Sequence, residues 1–262
     1  MNNFSFSIND DDISNLLIMA GTKLLKNQKN RDWLKVINKE LFKTSADEIM
    51  HRILVEGLKK ITPNIKVFSE EVGHNINERS DLYWLIDPID GTASWAEGYG
   101  GFVSQLSLIY KNQSIFGLIY WPSEDILWMA KDTKGIFINN KKIAINMKQS
   151  KNLILIDNYP EPKGIALEIT QKIPNIVYKE CGSIGLKAIL TLTQEADIFI
   201  KNSVFRDWDL APAFAFLPFL KGRIIDLENN NIKLGDQIEF TNGLMISHDK
   251  NIIKNVISHI KR

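Results

Sequence analysis

The segment Tyr83-Trp84-Leu85-Ile86-Asp87-Pro88-Ile89-Asp90-Gly91-Thr92 constrains this chain more than any other stretch. Its large apolar residues read as a buried strand that runs directly into two carboxylates three residues apart. Pro88 fixes its own φ and pushes Asp87 out of the helical region. Asp90-Gly91 then turns the chain, leaving the amides of Gly91 and Thr92 at the start of a short helix. Carboxylates beside free backbone N–H groups suit a hard cation and a phosphate side by side. Asp-Pro and Asp-Gly are each common turn dipeptides, and it is their union behind a buried strand that points to chemistry.

Further acids must come from elsewhere in the chain. Glu70-Glu71 follow the apolar run Ile65-Lys66-Val67-Phe68, which reads as a strand, and ligands collect at strand C-termini in layered α/β folds. In Asp207-Trp208-Asp209-Leu210-Ala211-Pro212, Asp209 is expected at the N-cap of a helix from about Leu210, with Pro212 in its first turn. Ser45-Ala46-Asp47-Glu48 has the pattern of a capping box, with Ser45 as N-cap, Glu48 as its partner and Asp47 in the first turn. Each of these has a plain explanation alone: a solvated loop, a helix cap, a dipole-compensating acid. Their occurrence together with the 87–92 segment is what marks a site.

The remaining pattern alternates helices and strands without strict βαβ regularity. Helices are expected at Ile13 to Lys26, from Ser45, at Ile165–Lys172, at Ile184–Leu192, from about Leu210 and at Ile252–Ile260. From Phe102 to about Ile145 successive β-type runs separated by polar turns predict an antiparallel meander. Strands then recur at Leu153–Ile156, Ile176–Tyr178, Asp197–Ile200 and Arg223–Leu227. The expected fold is therefore a layered α/β (α+β) arrangement with at least two sheets, divided near 148/149 into intimate halves at 1–148 and 149–262.

Composition removes several alternatives. The chain has 262 residues and a net charge of +1, without the footprint of a general nucleic-acid binder. One cysteine, Cys181, excludes an internal disulfide framework and a thiolate-rich zinc site, and reads as a small buried thiol. The run Leu16-Leu17-Ile18-Met19-Ala20 is far too short to cross a bilayer, and the start of the chain lacks the basic region of a signal peptide. A cytoplasmic protein with neither nucleic-acid nor membrane partners is the expectation.

Taken together, the motifs resemble the inositol monophosphatase family, the Mg²⁺-dependent, lithium-sensitive phosphomonoesterases that include the 3′(2′),5′-bisphosphate nucleotidases. The family's Asp-Pro-Ile/Leu-Asp-Gly-Thr signature stands here as Asp87 to Thr92. Its Glu-Glu matches Glu70-Glu71, its helix-opening Ala-Asp matches Ala46-Asp47, its Gly-Ser matches Gly182-Ser183 and its Trp-Asp-x-Ala matches Trp208 to Ala211. The resemblance implies an αβαβα sandwich, a homodimer and two or three Mg²⁺ ions per site. By the same resemblance, Glu70, Asp87 and the Ile89 carbonyl hold a first metal, and Asp87, Asp90 and Asp209 a second, with a further ion near Glu70. Thr92, Asp47 and Glu70 form the catalytic set, Thr92 with Asp47 orienting water, and Gly91, Thr92, Ser183 and Asp209 face the substrate.

The substrate is less marked. Ser94-Trp95 stand where inositol monophosphatases carry Asn-Phe, and the Lys-Glu-Phe of the nucleotidases is also absent. Asn202 stands seven residues before Asp209, where an inositol-contacting Glu is usual, while Lys187 after Gly182-Ser183 is similar to the nucleotidase branch. The expectation is a small phosphorylated polyol such as inositol monophosphate or a sugar phosphate, with adenosine 3′,5′-bisphosphate as the alternative. Trp95 and Tyr99 either stack on a substrate or pack a helix. Arg206 either meets a second phosphate or pairs with Asp207.

Overall fold

The first helix shows how local chemistry sets an element. In α1 (Asp10–Lys26), Asn9 caps by accepting from the Asp11 amide, three aspartates fill the first turn, and Lys23 and Lys26 stand in the last. Its buried stripe Ile13, Leu16, Leu17, Ala20 and Leu24 follows the helical period. The computed structural model describes residues 8–38, 42–72, 75–132, 134–144 and 152–260. The expected half boundary at 148/149 and the end of the meander at Ile145 lie outside the described residues.

A short antiparallel ribbon of β1 (Val36–Asn38) and β2 (Lys43–Thr44) leads into α2 (Ser45–Ile61). Here the expected cap is corrected by one residue. Thr44, held extended in β2, is the N-cap, and Asp47 accepts its backbone N–H at 2.7 Å and its hydroxyl at 2.8 Å. Ser45 is already helical and points its hydroxyl at the Lys35 carbonyl. The acid of the box is therefore Asp47 and not Glu48.

The first sheet runs in spatial order through β3 (Lys66–Ser69), β4 (Leu82–Asp90), β5 (Val103–Tyr110), β6 (Gln113–Trp121), β7 (Ile126–Lys131), β8 (Gly135–Ile138) and β9 (Lys141–Ile143). β3 and β4 are parallel and every later pair is antiparallel, so the expected meander is present. A single short helix, α3 (Thr92–Ala96), interrupts the step from β4 to β5.

The second half supplies β10 (Leu153–Asp157), α4 (Gly164–Lys172), β11 (Ile176–Glu180), α5 (Ile184–Leu192), β12 (Ile198–Lys201), β13 (Phe205–Arg206), α6 (Asp207–Phe214), β14 (Arg223–Ile225), β15 (Glu239–Phe240), β16 (Leu244–Ser247) and α7 (Lys250–Ile260). Five of these strands form a mixed sheet in the order β11-β10-β12-β16-β14, and β13 pairs with β15. Helix α6 starts three residues earlier than expected, at Asp207. Arg206 is its N-cap and Asp209 its third residue, accepting the Arg206 N–H at 2.7 Å.

Alternation along the strands stacks these elements into five layers. α1 and α2 bury Leu17, Met50 and Leu54 against Trp84, Leu106 and Leu118 of the first sheet. α5 and α6 fill the middle, with Leu186, Ile189 and Leu210 between Val103 and Ile119 on one side and Phe199 and Ile246 on the other. Ile198 and Ile200, on the opposite face from Phe199, meet Ala166 of α4 and Ile253 of α7. The result is an α/β sandwich. Among the described residues, no helix is long and apolar enough to cross a membrane.

Gly117 of β6 lets α6 approach closely: a Cβ there would lie 2.4 Å from the Pro212 carbonyl oxygen and 2.9 Å from the Ala215 Cβ. Gly117→Ala is expected to destabilise the fold by about 1–3 kcal/mol through overpacking, read as a melting temperature lowered by several degrees.

Candidate active site

The two central carboxylates share a face because β4 is bulged. In a regular strand, residues three apart point to opposite sides of the sheet. Here Asp87 pairs with Gln105 but Asp90 pairs with Val103, so three steps on β4 match two on β5. The extra residue sits at Pro88-Ile89, where a missing N–H is tolerated, and the Pro88 carbonyl accepts from the Ser104 hydroxyl at 2.8 Å. Asp87 and Asp90 thus both point at the middle layer, on the same side as Gln105.

Gln105 is the residue that motif reading missed. Fully buried, its Nε2 lies 3.4 Å from Asp87 Oδ2 and 3.4 Å from Asp90 Oδ2, and within 3.3 Å of the Trp208 and Asp209 carbonyls. Pro212 cannot donate back to the Trp208 carbonyl one turn earlier, so that oxygen is left for the glutamine. A Cβ on Gly185 would come within 2.1 Å of Gln105 Oε1, so α5 closes over the amide. A polar amide inside the apolar run Phe102 to Tyr110 was the available signal, since a buried amide demands partners.

Asp90 faces the start of α5. It accepts from the Ser183 hydroxyl at 2.7 Å and from the amides of Ile184 at 3.1 Å and Gly185 at 2.5 Å. Ser183, itself fully buried, caps the helix by accepting from the Leu186 amide at 2.9 Å. The fully buried Lys187 ties the same turn down, donating to Asn158, the Cys181 carbonyl and the Gly182 carbonyl. Cys181 is the expected buried thiol, with burial pushing its pKa up to about 11.

Glu70 follows β3, and its amide donates to the Ile86 carbonyl at 3.2 Å, which sets it beside Asp87. Burial, reinforced by Glu71, pushes Glu70 up to about 7. Burial and then Glu70, Asp90 and Asp209 hold Asp87 well above the ordinary carboxylate range, and burial and then Asp90 do the same for Asp209. For Asp90 burial raises the pKa while the α5 donors oppose it. Glu71 pairs with Lys43 at 3.0 Å. Gln105 links Asp87 and Asp90, and Glu70 and Asp209 lie near enough to act on the ionisation of Asp87.

Asp47 and Thr92 also meet. The Thr92 hydroxyl lies 2.9 Å from Asp47 Oδ1 and 3.0 Å from the Ile89 carbonyl, while Asp47 Oδ2 is held by Thr44. Gly91, in the left-handed region at φ +93, opens α3, and the first-turn amides of that helix have no intrahelical acceptor.

Other sequence candidates fall away from the cluster. Trp95 is fully buried and donates to the Leu24 carbonyl at 3.2 Å, so it packs α3 onto α1. Tyr99 is exposed, and its carbonyl accepts from Gln28. Asn202 is exposed beyond β12. Arg206 pairs with Glu239 and not with Asp207, because Asp207 is buried against Arg79.

Among the described residues, no three His, Cys, Asp or Glu side chains stand as a finished cage for a metal ion; Asp87, Asp90 and Asp209 are engaged with protein donors. The donor set nonetheless fits a hard cation: it is all oxygen, and Asp87 Oδ1 is buried without a hydrogen-bond partner.

Comparison with known proteins gives a consistent result. A model of the inositol monophosphatase family matches residues 14–261. The chain is 29% identical over 244 residues to the 3′(2′),5′-bisphosphate nucleotidase CysQ of Buchnera aphidicola subsp. Acyrthosiphon pisum, covering 88% of this chain and 90% of that one. It is 23% identical over 251 residues to the Nus factor SuhB of Haemophilus influenzae, covering 92% and 91%. Among solved structures, an IMPase of Thermotoga maritima superposes with a TM-score of 0.78 at 23% identity, covering 96% of each chain.

The raised Glu70 pKa has a sign that can be measured in metal-free protein. Between the ordinary 4.5 and about 7 the folded state keeps a proton that the unfolded state has lost. The contribution of Glu70 to stability therefore falls as pH rises through that window, by up to about 3 kcal/mol. Urea unfolding at a series of pH values checks this, and Mg²⁺ is expected to flatten the fall.

Proposed function

Because this chain belongs to the inositol monophosphatase family and is a phosphoric monoester hydrolase, we propose that it is a Mg²⁺-dependent phosphomonoesterase acting on a small phosphorylated polyol, such as inositol monophosphate or a sugar phosphate. The observation that carries this reading is the Thr92–Asp47 hydrogen bond of 2.9 Å at the edge of the converged acids. Phosphatases of this family are generally metal-dependent. In this reading Glu70, Asp87 and the Ile89 carbonyl would hold one ion, and Asp87, Asp90 and Asp209 a second, with a further ion near Glu70. When bound, such ions lower the pKa of water and neutralise phosphate and leaving-group oxygens.

The chain's own groups then have defined tasks. With the Ile89 carbonyl engaged, the single Thr92 proton goes to Asp47 Oδ1, which turns the Thr92 lone pair toward water. A water proton passes to Thr92 as Thr92 passes its own to Asp47, so the two residues act as one base. The Gly91 and Thr92 amides receive phosphate oxygens. Ser183, turned to Asp90 and fully buried, serves the site by orienting that carboxylate.

A second reading, a 3′(2′),5′-bisphosphate nucleotidase, is favoured by a specific observation besides the CysQ relatives. Lys201, at the end of β12, is close enough to Asp209 to act on its ionisation, and it precedes Asn202 where a polyol-binding acid is usual. A cation there favours a substrate with a second phosphate.

Mg²⁺ at a hundred times its dissociation constant is expected to stabilise the protein by about 2.7 kcal/mol, visible as a raised melting temperature; no shift with Mg²⁺ or Mn²⁺ would falsify the metal reading. Thr92→Val should lower kcat by roughly 10²–10⁴ with KM little changed and the fold intact. Phosphate release across inositol 1-phosphate, sugar phosphates and adenosine 3′,5′-bisphosphate decides between the two substrates, and a strong preference for the nucleotide selects the second reading.

A further inference from the structure

We propose that Arg79 is a positioning residue that locks together the three elements carrying the acids of the metal site. The inference rests on the phosphatase reading above. Arg79 lies in the connection from β3 to β4, just past the 3₁₀ turn Ile76–Glu78, and its side chain is only 4% exposed. The guanidinium pairs with the fully buried carboxylate of Asp207, and donates to the Tyr83 hydroxyl at 3.5 Å. It also lies over two rings, 5.9 Å from the centroid of Phe68 and 5.3 Å from that of Tyr83. Those rings meet edge to face at 5.4 Å, forming a seat for the flat cation.

Each partner of Arg79 is a near neighbour in sequence of an acid of the site. Phe68 precedes Glu70 by two residues at the end of β3. Tyr83 precedes Asp87 by four along β4. Asp207 precedes Asp209 by two in the first turn of α6. One side chain therefore spans three elements whose acids repel one another, and it meets each element on the stretch that leads to the acid. A buried ion pair adds little net stability over a well-packed apolar pair, so stability alone does not account for it. What a guanidinium adds is direction: one planar group whose Nη1 holds both the Asp207 carboxylate and the Tyr83 hydroxyl while the plane lies over the Phe68 and Tyr83 rings. A displacement of α6 relative to β4 would move Asp209 relative to Asp87, and Arg79 resists that displacement.

The test uses Arg79→Lys, which keeps the charge and loses the planar group over the two rings, and Asp207→Asn, which keeps an acceptor. Melting temperature without metal, Mg²⁺ dissociation constant by calorimetry, and kcat and KM on the best panel substrate are measured for each. Expected are Mg²⁺ affinities weakened roughly 10–100-fold and a lower kcat at nearly constant KM, with the fold retained. The double variant Arg79→Met with Asp207→Leu, which replaces the ion pair by apolar packing, is expected to recover thermal stability without recovering Mg²⁺ affinity. Variants that lose thermal stability but bind Mg²⁺ and turn over as the unaltered protein does would reduce the pair to a structural contact and overturn the inference. An unaltered protein that neither binds Mg²⁺ nor releases phosphate overturns the phosphatase reading and this inference with it; binding and turnover that the variants leave unchanged overturn the inference alone.

Discussion

Burying several carboxylates within reach of one another is unfavourable twice over, because each loses hydration and each repels the others. Glu70, Asp87, Asp90 and Asp209 nonetheless converge, and much of the surrounding structure answers that strain. Burial and the neighbouring acids hold Glu70 and Asp87 above the ordinary carboxylate range. Asp90 is met by a hydroxyl and two amides at the start of α5, where the helix dipole favours negative charge. Glu71 is paired with Lys43. An all-oxygen set kept only partly compensated in this way is what the proposed metal reading requires.

The same strain explains the architecture around the site. Acids on β4 belong to the first sheet, whereas Asp209 and the donors to Asp90 arise from α6 and α5 in the middle layer. Neither half could assemble the cluster alone, since the apolar contacts of α5 and α6 with both sheets set the distance between the acids. Gln105 sits at that seam and is the group that touches both sides, reaching two carboxylates of β4 and two carbonyls of α6. Its amide position depends in turn on a proline that withholds an N–H and a glycine that withholds a side chain. Packing, hydrogen bonding and charge are therefore one problem here, and a change to any of them is felt at the carboxylates.

Two helices of the site are built on one local rule. In both α2 and α6 an aspartate at the third helical position accepts the backbone N–H of the N-cap residue, Thr44 or Arg206. That bond fixes one oxygen of the carboxylate and leaves the other for the cluster: Asp47 offers its free oxygen to Thr92. Helix initiation and the orientation of the Asp47 carboxylate are thus the same hydrogen bond.

A great deal of this was readable in the linear chain. The periods of apolar residues located the helices and the antiparallel run from Val103 to Ile143, and the motifs held residues that prove to be in contact, Asp47 with Thr92 and Ser183 with Asp90. Periodicity works because burial repeats with the geometry of each element. The N-caps at Thr44 and Arg206, the bulge that turns Asp87 and Asp90 to one face, the use of Gln105 as a link, and the Arg79–Asp207 pair were decided only in three dimensions. These depend on partners distant in sequence, such as Gln105 and Trp208 or Arg79 and Asp207. A local pattern can state that a polar group needs a partner, but only the packed layers determine which one comes within reach.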